Sequence, residues 1–376
     1  MQTVDAAGLS IGDGHPPRIM GVLNLSAESP YRPSVYDDPD EAADYVESAL
    51  LAKGADIVDV GLESANKRFE VLTAAQELDR LELAVETVER VGGEAVFSVE
   101  TRYHEVADEA LSRGFDVVND ISGFADPEMP AVCEAHDAAV VKMASPPDLR
   151  RPGALETVDD IYDALRRGGL TEKTIVDPAF GGWSEAKTLE DDRETFRRLR
   201  EFRALGQPIL VSINRKNFLK DIAGRDTEGA LPVSLAATSM AVERGVHVIR
   251  THDVAETRDA ALVGHAFARE RVAESDVEEL DVTTVAEAER HLAAIGADTD
   301  GAPGSVARAV VVRGLDAEER AALEAAGDAA GAVVAPGEEG VYVGGTYPTL
   351  LTLADRLSGG SNRLQGLVRA VRHVCE

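Results

Sequence analysis

The sequence predicts an α/β fold: a (β/α)8 TIM barrel with a small C-terminal α/β domain. Two observations carry that prediction. Short apolar runs alternate, eight times over, with segments whose apolar residues recur at helical spacing, and this alternation implies βαβ units and a parallel sheet. Those units occupy about 270 residues, close to the ~250 of a closed barrel. A third observation bears on the competing fold. No G-x-G-x-x-G follows the first apolar run, so an open doubly wound sheet lacks its usual phosphate-binding turn.

The strand-like runs are "RIMGVLN" (18–24), "DIVDVG" (56–61), "AVFSVE" (95–100), "DVVND" (116–120), "AAVVKM" (138–143), "TIVDP" (174–178), "PILVSI" (208–213) and "HVIR" (247–250). Helix candidates lie between and after them at 40–53, 75–91, 103–113, 128–136, 156–167, 189–204, 230–244 and 254–270. Beyond residue 272 the texture changes to the charged, apolar-poor "RERVAESDVEELDVTT", a plausible linker. The chain therefore divides into a barrel over 1–272 and a small α/β domain over 280–376. The second domain reads as a helix at 284–295, "ARAVVVRG", a helix at 316–326, "GAVVAPG", "GVYVGGT", and helices at 347–358 and 362–374. Gly344-Gly345-Thr346 before a helix suits either an anion cradle or a plain strand-to-helix turn, and the region is assigned no chemistry.

Composition narrows the partners. The 376 residues carry 68 Asp and Glu against 38 Lys and Arg, a formal charge of −30. With 44% apolar residues the chain has a proper core, so the acidity does not signal disorder. Acidic, Lys-poor and Ala/Val-rich, it resembles a halophilic protein, whose self-repulsion is screened by concentrated salt. Nucleic-acid binding needs a basic face and is not expected. No apolar run reaches the length of a membrane span, and "MQTVDAAGLSIGDGH" lacks the basic and apolar regions of a secretory signal. Cys133 and Cys375 make no metal spacing, so a cytoplasmic enzyme is the expectation.

In a barrel the side chains that carry chemistry stand at the C-terminal ends of the strands. Those ends hold Asn24, Asp59 with Glu63 just beyond, Glu100, Asn119-Asp120, Met143, Asp177, Asn214-Arg215-Lys216, and Arg250 with His252. Any one of them suits a turn or a helix cap, but eight strand ends carrying polar or functional residues at one mouth point to a site. Amides and carboxylates come from strands one to six, and the cations from strands seven and eight, where barrels frequently build phosphate sites. Arg matches phosphate oxygens with a planar fork, and Lys offers a compact charge. Asp177 and Asn119 suit a ring bearing an amino group and N–H donors, and Met143 a polarisable face for a flat ring. Residue chemistry alone thus points to a planar nitrogen heterocycle joined to a phosphate-type anion.

Over residues 18–270 the chain resembles the dihydropteroate synthase family, in a haloarchaeal form with an extra C-terminal region. The resemblance rests on "IMGVLNLSAESP", "GADIVDVGLES", "FSVETRYHEVADEALSRGFDVVNDISG", "DPAFG", "LVSINRKNFL" and "RTHDVAET". It implies a transferase of folate biosynthesis that joins 7,8-dihydropterin pyrophosphate to p-aminobenzoate, giving dihydropteroate and pyrophosphate. It further implies that Asn24 holds Mg²⁺ and the pyrophosphate, and that Glu100 contacts the pterin. Asn119, Asp177 and Lys216 would bind the pterin, with Met143 and Arg250 flanking its ring. Arg250 and His252 would meet the leaving anion, and Lys216, Arg250 and His252 make up the expected catalytic set. Departures cluster on the substrate loops: Val99-Glu100-Thr101 stands for I-D-T, and Ala65 and Asn66 stand where the family carries Thr and Arg. The alternatives are a repurposed or non-catalytic pterin-binding paralogue, using a modified arylamine, and a pterin-dependent methyltransferase. The expected partners are small molecules, with room left for a homodimer.

Overall fold

All eight expected barrel strands form, each within a residue or two of its apolar run. They are β1 Arg18–Asn24, β2 Ile57–Gly61, β3 Val96–Thr101, β4 Val117–Asp120, β5 Ala139–Met143, β6 Thr174–Asp177, β7 Leu210–Val211 and β8 Val248–Thr251. The computed structural model describes residues 1–26, 32–63, 71–93, 95–150, 152–181, 184, 186–274 and 277–375. Ala65 and Asn66, and most of the loop after β1, lie outside the described residues.

Every ladder of the sheet is parallel, in the order β6-β5-β4-β3-β2-β1-β8-β7. A parallel bridge between Val176 and Ile209 joins the two ends and closes the barrel. The seventh apolar run shortens to two residues of ladder, Leu210–Val211; Pro208 at its start has no N–H to donate, and its carbonyl accepts from Val176 at 2.9 Å.

Side-chain caps start most of the long helices. Thr73 and Gln76 form a reciprocal capping box for Ala74–Arg90, and Thr188 and Asp191 do the same for Leu189–Arg197. The helix expected over 40–53 keeps its direction but changes winding, from α over Pro39–Tyr45 to a π turn over Val46–Leu50 and a 3-10 turn over Leu51–Lys53. Among the elements not legible in the sequence are the seven-residue helix Asn217–Ala223 and an N-terminal hairpin of Val4–Ala6 with Leu9–Ile11. Both are shorter than the windows in which periodicity registers.

The hairpin has a clear packing role. Val4, Ala6 and Ile11 join Met20, Ile57, Val117, Ala139, Ile175, Leu210 and Val248 in one buried cluster at the N-terminal end of the barrel interior. The hairpin closes that end, which leaves the C-terminal mouth for the site. A larger cluster, with Leu23, Val58, Val99, Val118, Val140, Phe196, Phe202 and Ile249 among its members, packs the helices around the strands.

The chain forms two compact units, Met1–Glu270 and Arg271–Glu376. The second has a three-stranded antiparallel sheet of β9 Ala307–Val312, β10 Val333–Pro336 and β11 Val341–Thr346, in the order β9-β11-β10. Its core brings Leu323, Val341 and Val343 together with Leu350, Leu353, Leu364, Leu367 and Val371. Gly344 and Gly345 lie within β11, and Thr346 precedes the helix Tyr347–Arg356, so this segment is a strand-to-helix junction. Among the described residues, no helix is long and apolar enough to cross a membrane.

Candidate active site

Parallel register sets the floor of the mouth. Asn24 pairs with Gly61, Gly61 with Glu100 and Glu100 with Asn119, a lateral row across four strands. Residues level with one another in adjacent strands point to the same face, so Asn24, Glu100 and Asn119 share one.

The hub of this floor is Asp59, in the middle of β2 and fully buried. Its Oδ1 accepts from Ser98 Oγ at 2.7 Å; its Oδ2 accepts from Asn119 Nδ2 at 3.1 Å and from Arg250 Nε at 2.7 Å. Arg250 also donates through Nη2 to Glu100 Oε2 at 2.6 Å. Burial opposes the Arg250 charge, but Asp59 and Glu100 outweigh it and hold the guanidinium above its ordinary pKa. Arg250 is therefore not an isolated cation waiting for an anion: two carboxylates fix its plane over the floor. Asp59 was visible in the sequence as an acid inside an apolar strand, yet it does not stand in the expected binding set. A carboxylate whose partners come from three other strands shows its importance only in three dimensions.

Glu100, the longer stand-in for the family's Asp, uses its extra methylene to reach Arg250. Burial raises its carboxyl to about 6, with Arg250 pulling down and Asp59 pushing up. Asp177, at the end of β6, is likewise raised to about 6 by burial, against the Ala179 N–H at 2.8 Å and the nearby Lys216. Lys216 precedes the helix Asn217–Ala223, and burial lowers it to about 8 while Asp177 opposes. A side chain at Gly181 would place its Cβ 3.0 Å from the Lys216 ammonium, so this glycine leaves room for that lysine.

The remaining expected residues occupy distinct places. Met143 ends β5 and is buried. His252 follows β8, and burial, reinforced by Arg250, lowers its pKa to about 3. It is thus a neutral imidazole at pH 7, which corrects the expectation of a second cation in the "RTHDV" loop. Arg215 corrects the expected cluster in another way: it clasps Asp253 through Nε at 2.8 Å and Nη2 at 3.0 Å, and donates to the Thr227 and Glu228 carbonyls. That arginine ties two loops together.

Asn24 donates through Nδ2 to Ser34 Oγ at 2.8 Å, and its Oδ1 lies 3.1 Å from where a Cβ on Gly61 would stand. The amide is thereby oriented with its oxygen toward a position that only glycine leaves open. Among the described residues one group, His104, Glu105 and Asp126, brings three ligand atoms within 4.8 Å of one another. His104 Nδ1 stands 2.8 Å from Asp126 Oδ2, and that hydrogen bond raises the imidazole pKa.

Comparisons with known proteins bear on the family and the fold. The profile of the pterin binding enzyme family matches residues 20–252, more than half of the chain. A probable bifunctional folylpolyglutamate synthase/dihydropteroate synthase from Halobacterium salinarum is 32% identical over 266 residues, covering 68% of this chain and 32% of that protein. This chain thus spans about a third of that relative's length. The dihydropteroate synthase of Bacillus subtilis is 29% identical over 242 residues, covering 63% of this chain and 83% of its own. Among solved structures, dihydropteroate synthase from Thermus thermophilus in complex with 4-aminobenzoate is 31% identical. It superposes with a TM-score of 0.58, covering 71% of this chain and 100% of that one.

Proposed function

The chain belongs to the pterin binding enzyme family, and from that premise we propose that it is a dihydropteroate synthase. In this reading it condenses 7,8-dihydropterin pyrophosphate with p-aminobenzoate to dihydropteroate and pyrophosphate. The observation that carries the reading is the floor of the barrel mouth, where Asp59, Asn119, Glu100 and Arg250 form one bonded set beside Asp177 and Lys216.

At pH 7 Asp177 is largely ionised and Lys216 largely protonated. Asp177 accepts from the amino group and ring N–H of a pterin, and Lys216 donates to its acceptors. Arg250, held flat by its two carboxylates, covers one face of the ring, and Met143 supplies a polarisable contact. The amine nitrogen forms its bond to the pterin methylene carbon as the carbon–oxygen bond to pyrophosphate breaks, and the amine loses a proton. Lys216 and Arg250 stabilise the departing anion by charge, and His252 by a neutral N–H. No covalent nucleophile is needed; holding the two reactants together supplies much of the rate.

Mg²⁺ would be held by the Asn24 amide oxygen together with pyrophosphate oxygens, since this ion prefers hard oxygen ligands and few of them from protein. Bound there, it would neutralise charge on the leaving group. A homodimer is supported by apolar side chains left exposed on the packed helices Leu231–Glu243 and Val254–Ala266: Met240, Leu262, Val263, and Phe267 just beyond at 82% exposure.

The test is incubation in concentrated KCl with Mg²⁺, dihydropterin pyrophosphate and p-aminobenzoate, monitoring pyrophosphate release and dihydropteroate. The expected result is equimolar formation of both, abolished by chelation of the metal. Tight binding of the pterin substrate with no product would overturn the reading. Turnover with another arylamine alone would identify a variant synthase.

A further inference from the structure

Strand β3 ends by sending three successive side chains to three different structures. Glu100 reaches Arg250 on the floor, and Thr101 Oγ1 donates to Glu77 of the helix Ala74–Arg90 at 2.5 Å. Arg102, only 1% exposed, donates through Nη2 to Glu63 Oε2 at 2.7 Å and through Nη1 to the Leu149 carbonyl at 2.5 Å.

Those partners frame the rim of the mouth. The second Glu63 oxygen accepts the Leu72 N–H at 3.1 Å, and the neighbouring Tyr103 hydroxyl donates to the Leu72 carbonyl at 2.5 Å. Glu63 and Leu72 are the two ends of the connection that leaves β2. Leu149 belongs to the connection that leaves β5, whose base is closed by Ser145, donating to the Ile121 carbonyl and accepting from Gly153 N–H, both at 2.8 Å. One buried guanidinium thus joins Glu63, just after β2, and Leu149, beyond β5, to the end of the strand that also carries Glu100.

The arrangement is costly if stability were its purpose. Arg102 Nε is buried without a hydrogen-bond partner, and an apolar side chain of similar volume would avoid desolvating both charges. What the guanidinium gives that an apolar residue cannot is direction: it sets Glu63 and Leu149 at fixed separation across the mouth. The hydrogen bonds of Arg102 go to Glu63 and Leu149 at the rim, and it acts on the floor only through its charge beside Glu100. The second substrate must approach from the rim.

We propose that Arg102 is a positioning residue for the arylamine, fixing through Glu63 and Leu149 the rim against which that substrate is received. The proposal rests on the synthase reading. It predicts a split between the two substrates that a merely structural role would not produce.

The experiment uses the full chain with Arg102→Met, Arg102→Lys and Glu63→Gln. Steady-state kinetics would vary each substrate in turn, and titration calorimetry would measure binding of dihydropterin pyrophosphate. Arg102→Met is expected to raise KM for p-aminobenzoate about tenfold or more, as displacement of a positioning group does. Affinity for dihydropterin pyrophosphate should hold within about twofold, with Arg102→Lys recovering part of the loss. Glu63→Gln, nearly isosteric, should show the same split, and it provides the decision if the methionine variant fails to fold. Equal losses for both substrates, or an unchanged amine KM, would overturn the proposal. If the unsubstituted chain forms no dihydropteroate, the synthase reading falls and takes this proposal with it, whereas an active parent with unaffected variants refutes Arg102 alone.

Discussion

Asp59 shows what a single side chain does in this protein. It is fully buried and accepts from Ser98, Asn119 and Arg250, so its charge orients two of the groups expected to hold the pterin. Asp59→Asn keeps the shape and removes the charge, leaving Arg250 with Glu100 alone. Breaking a buried pair costs about 3 kcal/mol or more, and misplacing the floor should lower kcat/KM about a hundredfold. Chemical denaturation and steady-state kinetics on the variant check both. Glu77 supports a pH prediction of opposite character. Burial lifts its carboxyl from 4.5 to about 8, with Thr101 and Arg102 opposing. Between those values the folded chain keeps a proton that the unfolded chain has released, so this group makes stability fall as pH rises from about 4.5 through 8. Glu77→Gln should remove that slope, stabilising the protein by on the order of 1 kcal/mol at pH 8.5 and changing little at pH 4.5. Urea denaturation at the two pH values decides it.

Between elements, the link to notice joins the loop after β4 to the end of β5. Gly123 has φ +64°, and a Cβ there would stand 2.2 Å from the Met143 carbonyl oxygen. Backbone meets backbone here, so no flexible side chain can give way. Gly123→Ala should therefore cost about 2 kcal/mol or more and push Met143 off the floor. A lower melting temperature together with weakened binding of dihydropterin pyrophosphate is the expected pair of results, and a neutral outcome in both would contradict the packing. The "NDISG" segment that carries the family resemblance is thus explained by fit: Asp120 accepts from the Ser122 and Phe124 N–H groups, and Gly123 passes beneath β5. The elements that the sequence hid, the hairpin strands and the helix Asn217–Ala223, are too short to show periodicity and depend on what they pack against.

For the whole molecule, net charge governs the solvent in which the fold persists. A formal −30 repels itself at low ionic strength, where the screening length is ~10 Å, and much less in molar salt, where it is ~3 Å. Scanning calorimetry should show the melting temperature rising on the order of 10 °C between about 0.1 M and 3 M KCl, and a flat response would count against a salt-adapted protein. The same charge does not preclude anion chemistry in the proposed site, because Arg250 and Lys216 would act at close range inside the mouth, where distance and low polarity favour the local cation. The alternation of apolar runs and helical periods determined the barrel, its eight strands and which residues end them, because periodicity and strand polarity are local properties of the chain. Tertiary structure decided what those residues do to one another. Only the closed, staggered sheet brings Asp59 and Glu100 onto Arg250, buries His252 into neutrality, turns Arg215 away to Asp253 and sets Arg102 between two rim connections. Those pairings join residues up to 191 positions apart, and their charge states follow from burial, which no local pattern in the sequence reports.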